Sequence, residues 1–455
     1  MTQTKEQKYE QMPVLNEHAA GIDIGSREHY VAIGQGKEHV KRFGVYTEEL
    51  EELCRWLIQH GIRTVAMEST GNYWKNLFVM LQQHNLNPIL VNGSFTKNLK
   101  GRKTDVQDCQ FIQRMHTLGL LPDSFQPDVF TEQLRNLTRH RSMLLSQAAD
   151  TSKRIQQSLR LMNLRLDIAV SDITGKSGMN IITAILKGER NPVLLAALCD
   201  VNVKKSREEI AAALTGFYRN DYLFQLKQNM GIWQFIQQQI KDVDQELNRL
   251  LEKHLQDLNK NERNYTPGEN AKKKKKQKNN PSFDVGKKSF QLFNGVDLIE
   301  VPGISHGTAL TIISEMGENI SKFNSAKSFC SWLRLAPNKK KSGGKVISNK
   351  IKQGSNILSV ALRSAANTIG NMKKEILLTK FFKRLHFKYG RAAAITATGR
   401  KLAVIIWNMI TKCQPYQPLS NEIYDQRIRH LALKNIQKKI IKLKIKQEDL
   451  QFAIA

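Results

Sequence analysis

Residues 18–47 read HAAGIDIGSREHYVAIGQGKEHVKRFGVYT. Short β-branched runs, glycine punctuation and partial alternation predict three strands in a meander. Asp23 falls inside the first of them, in GIDIG. A carboxylate within an apolar strand is costly unless it is paired or bound to a metal. The stretch therefore raises a fold and a site together.

The elements that follow complete the pattern. TEELEELCRWLIQHG places Leu50, Leu53, Trp56 and Leu57 at helical spacing, with Thr47 as N-cap and Gly61 as the stop. RTVAMEST reads as a buried strand, NYWKNLFVMLQQHN as a helix, NPILVN as a strand and DVQDCQFIQRMHTLG as a helix. The order βββ-α-β-α-β-α predicts a mixed sheet with helices on its faces. It is the element order of a ribonuclease-H-like domain, expected over 13–127 after a polar tail at 1–12.

From 128 the expectation is helical. TEQLRNLTRHRSMLLSQAADTSKRIQQSLRLMN predicts one long helix. Beyond Tyr222, Ile236, Ile240, Val243, Leu247 and Leu250 alternate spacings of four and three. That spacing fits a coiled coil or long helical hairpin, and equally a packed bundle helix, over 128–263. NYTPGENAKKKKKQKNNPS has no large apolar residue after Tyr265 and reads as a flexible basic linker, 264–290. A mainly helical domain is expected over 291–415 and a basic helical tail over 416–455.

The chain has 455 residues and carries 70 Lys and Arg against 41 Asp and Glu, a net charge of +29. Such an excess implies a polyanionic partner, nucleic acid first, because neutralised phosphates release counterions. No apolar run is long enough to span a bilayer and no signal peptide is evident, so no membrane partner is expected. Five cysteines stand far apart without a C-x-x-C pair. That disfavours a zinc site or disulfide framework and fits a reducing cytoplasm.

Three groups of residues carry candidate chemistry. The first is acidic: Asp23 in the first strand, Glu68 ending TVAME, and Asp105 and Asp108 three apart on one helix. In a ribonuclease-H-like sheet these four converge. Their oxygen-only donor set favours Mg²⁺, with Mn²⁺ as a substitute. Acid-x-x-acid alone means little, since EELEE supplies two more pairs; the ordered combination is the signal. The second is APNKKKSGGKVISNK, residues 336–350, where Lys339, Lys340, Lys341 and Lys345 surround Ser342 beside Gly343 and Gly344. Taken alone it reads as a phosphate-contact loop, because no base stands near the serine. The third is LIEVPGISHGTALTIISEMG, a Pro-Gly turn with Gly303 before a helix starting near His306. It reads as a helix-hairpin-helix-like phosphate contact or as an ordinary turn between core helices.

GIDIGSREHYVAI, VAMESTGNYW and KTDVQDCQFIQ resemble the DEDD motifs of insertion-sequence transposases of the IS-one-ten family. VSDITGKSGMNIITAILKGERNP, VPGISHGTALTIISEMG, FCSWLRLAPNKKKSGGKVISNK and KYGRAAAITATGRKLA resemble its IS-eleven-eleven branch. The resemblance covers about residues 19 to 415, with the linker around the pentalysine as an insertion and a longer C-terminal tail. It implies a RuvC-like nuclease domain joined by a coiled coil to a transposase domain with a catalytic serine. It also implies recombination guided by a structured non-coding RNA, called bridge or seeker RNA, that pairs with donor and target DNA. A dimer of dimers is implied, in a bacterial or archaeal cytoplasm, with the acidic site of one subunit facing the serine of another. Carried over by motif, Asp23, Glu68, Asp105 and Asp108 are the metal site and Ser342 the nucleophile. Ser348 matches a less essential position. From the residues alone, a junction-type endonuclease using metal-activated water and a non-catalytic nucleic-acid-binding protein remain open.

Overall fold

The computed structural model describes residues 12–443 apart from 70, 94–103, 261–263, 273, 275–276, 339, 349, 352–353, 355 and 419–420. The chain divides into two compact units, Met1–Gln126 and Pro127–Ala455.

The first unit is built on a five-stranded sheet. Strands β1 (Ala19–Ile24), β2 (Glu28–Ala32) and β3 (Val40–Gly44) form the expected antiparallel meander. Strand β4 (Thr64–Glu68) pairs parallel with β1, and β5 (Asn87–Val91) parallel with β4, so the order is β3-β2-β1-β4-β5. Helices α1 (Thr47–Gln59), α2 (Trp74–Gln83) and α3 (Asp105–Thr117) complete the unit. The arrangement is consistent with a ribonuclease-H-like domain. The N-cap of α1 is Tyr46, not Thr47: Glu49 reaches back and accepts from the Tyr46 N–H at 3.0 Å.

The period of two in β1 and β4 sorts the sheet into two faces. Ala20, Ile22 and Ile24 with Val65 and Met67 pack on Leu50, Leu53 and Leu57 of α1 and on Leu77 and Leu81 of α2. The opposite face carries Gly21 and Asp23 on β1 and Ala66 and Glu68 on β4. There Ala66 and Val91 pack on Ile112 of α3. Gly21 makes this second layer possible. A Cβ at Gly21 would lie 2.1 Å from the Gln113 backbone nitrogen and 2.5 Å from the Cys109 carbonyl oxygen. Only a residue without a side chain lets α3 lie so close.

The second unit is helical. Helices α4 (Val129–Leu161), α5 (Leu166–Ala169), α6 (Lys176–Leu186), α7 (Pro192–Ala197), α8 (Arg207–Ala213) and α9 (Asn220–Asp257) are followed by α10 (Glu269–Lys272) and α11 (Val285–Leu292). Then come α12 (His306–Met316), α13 (Ala326–Trp332), a small hairpin of β6 (Lys340–Ser342) and β7 (Lys345–Ser348), α14 (Ile357–Asn371), α15 (Leu377–Tyr389), α16 (Arg391–Lys412) and α17 (Asn421–Leu443).

Helices α4 and α9 run antiparallel as a long hairpin. Phe130 stacks on His254, and further along Arg141 binds Asp244 with Nε to Oδ1 at 2.5 Å. Leu144, Ile155 and Leu159 meet Leu226, Met230, Trp233, Ile236 and Ile240 in one core with α6. The seam differs from its expected line: the buried positions of α9 run Ile240, Asp244, Leu247 and Leu251, not Val243 and Leu250. The Arg141 guanidinium explains the shift. It lets a carboxylate take a core position that an apolar-spacing rule gives to its neighbour. Asp244 also accepts from the Ser282 N–H at 3.0 Å.

The stretch expected as a flexible linker is tied down at its described residues. The Tyr265 hydroxyl donates to Asp297 at 2.7 Å, and Val285 and Leu292 of α11 are buried. Glu315 of α12 takes Arg139 of α4 at 2.9 Å, while Arg135 donates to the Glu315 carbonyl at 2.6 Å. The helical region and the segment from 291 therefore share one compact unit. All five cysteines are unpaired, with Cys413 alone exposed. No helix among the described residues is long and apolar enough to cross a membrane.

Candidate active site and nucleic-acid interface

The four acids come together at the carboxyl ends of β1 and β4. Asp23 and Glu68 share the α3 face by the alternation above. The β1–β4 register pairs Ile22 with Met67, so one further step sets Asp23 beside Glu68. Asp105 and Asp108 sit in the first turn of α3, where the helix dipole favours negative charge. Thr104 starts that helix by accepting from the Gln107 N–H at 3.3 Å. Lys103, which opens the KTDVQD motif, lies outside the described residues.

Electrostatics tie the four into one site. Asp23 is half-buried, and its carboxyl is pushed up to about 6. Burial is the main cause, followed by the negative charges of Asp108, Asp105 and Glu68. All three other acids thus act on Asp23. Among the described residues no three acid, His or Cys side chains already close on a point where one ion could be gripped. The donors and their charge suit a hard divalent cation; the side chains do not form a finished cage.

Ser342 lies in the second unit, at the tip of a β-hairpin and not in an irregular loop. Ser342 pairs with Lys345 across Gly343 and Gly344, whose φ values are +55° and +73°. Two residues with positive φ between paired strands form a tight hairpin turn, a role that Gly-Gly fills readily. Among the described residues, no atom beyond the adjoining residues lies within 4 Å of where a Cβ would sit on either glycine. They serve the turn, and open space surrounds them. Lys340, Lys341, Ser342 and Lys345 are all exposed. Lys339 lies outside the described residues. The Asn338 N–H donates to the Lys350 carbonyl at 3.0 Å and holds the base of the hairpin.

The Pro-Gly turn proves to be a packed junction. Gly303 has φ +83°, and a Cβ there would meet the Ala365 carbonyl oxygen and Ile369 of α14 at 2.8 Å. Ser305 caps α12 by accepting from the Thr308 N–H at 3.1 Å. The turn's carbonyls face Lys274. Its ammonium donates to Ile304 at 2.7 Å, Val301 at 3.1 Å and also Ile299. Burial pulls that lysine down to about 8. His306 lines a neighbouring cavity of about 380 Å³ with Lys272 and Lys274. Charge counting along the linker could not single out Lys274, since it is one of five consecutive lysines.

Two family models match the chain in order. A DEDD transposase model of the IS110 type covers residues 20–164, and the transposase model of the IS116/IS110/IS902 family covers 297–380. The chain belongs to the IS110 family of transposases. The first match contains all four acids, and the second contains the serine hairpin and the Pro-Gly turn. No curated protein matches the sequence. Membership makes the chain a DNA transposase, an enzyme that recombines DNA to move an insertion sequence.

Proposed function

We propose that this IS110-family transposase cuts and joins DNA through a Ser342 phosphoserine link, with Asp23, Glu68, Asp105 and Asp108 as its metal site. The gathering of all four acids around Asp23 carries the reading. A divalent ion, Mg²⁺ or Mn²⁺, bound there would neutralise the acids and withdraw charge from a phosphate oxygen. Ser342 supplies the exposed hydroxyl. Its oxygen forms a bond to phosphorus as the bond from phosphorus to a deoxyribose oxygen breaks. The serine proton passes to a base, and the departing sugar oxygen is protonated; reversal onto a second DNA end joins the strands. Lys340, Lys341 and Lys345 place positive charge where the phosphate gains negative charge.

The two sets of groups complement each other chemically. The hairpin offers a hydroxyl and cations without a metal ligand; the sheet offers carboxylates without a protein nucleophile. Guidance by a structured RNA, membership of the IS-eleven-eleven branch and assembly as a dimer of dimers rest on the motif resemblance. The charge of +29 suits two nucleic acids. His306 joins this proposed nucleic-acid interface through the cavity it lines with Lys272 and Lys274, whereas Gly303 is packed on α14 and shapes the turn.

The test is denaturing electrophoresis of labelled donor and target DNA with element-derived RNA. Wild-type protein is expected to give a covalent protein–DNA adduct that Ser342→Ala lacks and Ser348→Ala retains. Chelation of divalent ions should stop cleavage while sparing most RNA binding. Cleavage and joining by Ser342→Ala at the wild-type rate would instead establish hydrolysis or transfer without a serine intermediate. Full activity of Asp23→Ala and Glu68→Ala would exclude the acidic site.

A further inference from the structure

Helix α15 ends by carrying two aromatic rings into solvent. Its inward face is spent early, on Leu377, Leu378, Thr379 and Phe382. From His386 through Arg391 every residue is exposed. Phe387 is 97% exposed and Tyr389 61%. A tyrosine hydroxyl accounts for some exposure. A phenyl ring left wholly in water forgoes the burial that normally places it in a core.

The ring stands on a fixed support. Phe382, one turn and a residue earlier, fits against Gly370 of α14, where an added Cβ would come within 2.5 Å of the Phe382 ring. After Tyr389, Gly390 at φ +81° turns the chain into α16. Arg391 starts that helix and donates to Asn367 and Asn371 at 2.7 Å. Phe387 is thus held out at a braced corner.

Its neighbours are cationic. Lys383 and Arg384 lie four and three residues before Phe387, hence on its side of the helix. Between 371 and 401 the chain holds nine Lys and Arg and one acid, Glu375, which pairs with Lys383 at 3.2 Å. A protein partner would need an apolar patch with few charges at its centre, and on its side of the helix this ring stands among cations. A nucleobase offers the ring a flat face, and its phosphates offer the cations their counter-charge.

We propose that Phe387 is a base-stacking residue. It receives an unpaired base of a DNA strand while Lys383, Arg384 and Lys388 hold the flanking phosphates. Strand exchange exposes unpaired bases, so the site suits the family's reaction. It depends on DNA as substrate and not on the roles given to Ser342 or the acids.

Full-length protein, Phe387→Ala and Phe387→Trp are titrated with a labelled DNA duplex and with the same duplex containing an unpaired bubble that carries 2-aminopurine. Phe387→Ala should bind the bubble about tenfold more weakly, lose the 2-aminopurine quench and keep duplex affinity. Phe387→Trp should restore both. Equal weakening on bubble and duplex, or no weakening on either, would overturn the proposal. So would a change in the solution mass of DNA-free protein on Phe387→Ala, which would assign the ring to a contact between copies. The wild-type duplex titration reports DNA binding itself, so failure of stacking and failure of DNA binding read differently.

Discussion

The acids and the serine are carried in opposite ways. Asp23 and Glu68 stand on central strands of a sheet covered on both faces, and Asp105 and Asp108 begin a helix laid on that sheet through Gly21. Ser342 stands at the tip of a two-stranded arm with little burial along it. The difference suits the roles proposed for each. Charges that share one ion need fixed separations, which strands provide through hydrogen-bonded register. A nucleophile that forms a bond to a DNA strand needs access, which an exposed hairpin provides.

Substitutions can break this contrast in graded ways. Ser342→Ala should lower strand transfer by about a thousandfold or more. It should leave the melting temperature unchanged, since the side chain is exposed; a large fall would place the hairpin within the packed structure. Arg141→Ala leaves Asp244 buried without its guanidinium and should cost about 3–5 kcal/mol in denaturant unfolding. Arg141→Met with Asp244→Leu should recover most of that loss. Gly21→Ala should cost about 3 kcal/mol and reduce cleavage as well, because α3 has to move and carries two of the acids.

Acidification should separate the regions by a smaller margin. His116 of α3 is buried, its Nε2 lies 2.9 Å from the Thr64 hydroxyl, and burial pulls it down to about 4. The unfolded chain takes up this proton near the ordinary value of 6.5. His116 should therefore contribute a loss of stability as pH falls from 6.5 through 4, by roughly 3 kcal/mol at most. Asp23, pushed up to about 6, contributes with the opposite sign, so the His116 part is read as the difference between the wild type and His116→Gln. Unfolding followed by tryptophan fluorescence at several pH values checks this, with His116→Gln gaining stability relative to the wild type as pH falls from 6.5 to 4. The smallest effect is expected at Gly344→Ala. The site is open, so only the positive φ opposes the methyl group, at about 1 kcal/mol. Activity should fall only as far as the arm loses its turn.

Much of the first unit was legible because its signals are local. Alternation, helical spacing and the glycine stops name the elements, and GIDIG, TVAME and DVQD each place an acid on one of them. Less was legible in the second unit. Nothing near Asp244 in the sequence marks it for burial, because its partner lies 103 positions away. Lys274 was indistinguishable within its run until three carbonyls met it. The stretch with Gly343 and Gly344 reads as a phosphate-contact loop, although Gly-Gly is also a hairpin turn, and the structure uses them as one.

The sequence by itself determined the order of elements in the first unit, the basic character and which acids stand on which of those elements, because periodicity and composition are properties of neighbouring residues. Ser342 was singled out by motif resemblance. Tertiary structure decided which strand face the acids share, how close α3 can come, and which charges are buried. Those depend on residues far apart in the chain meeting at van der Waals distance. Gly21 joins the two levels. It is one letter in a short motif, and its missing side chain lets α3 approach the sheet and bring Asp105 and Asp108 toward Asp23.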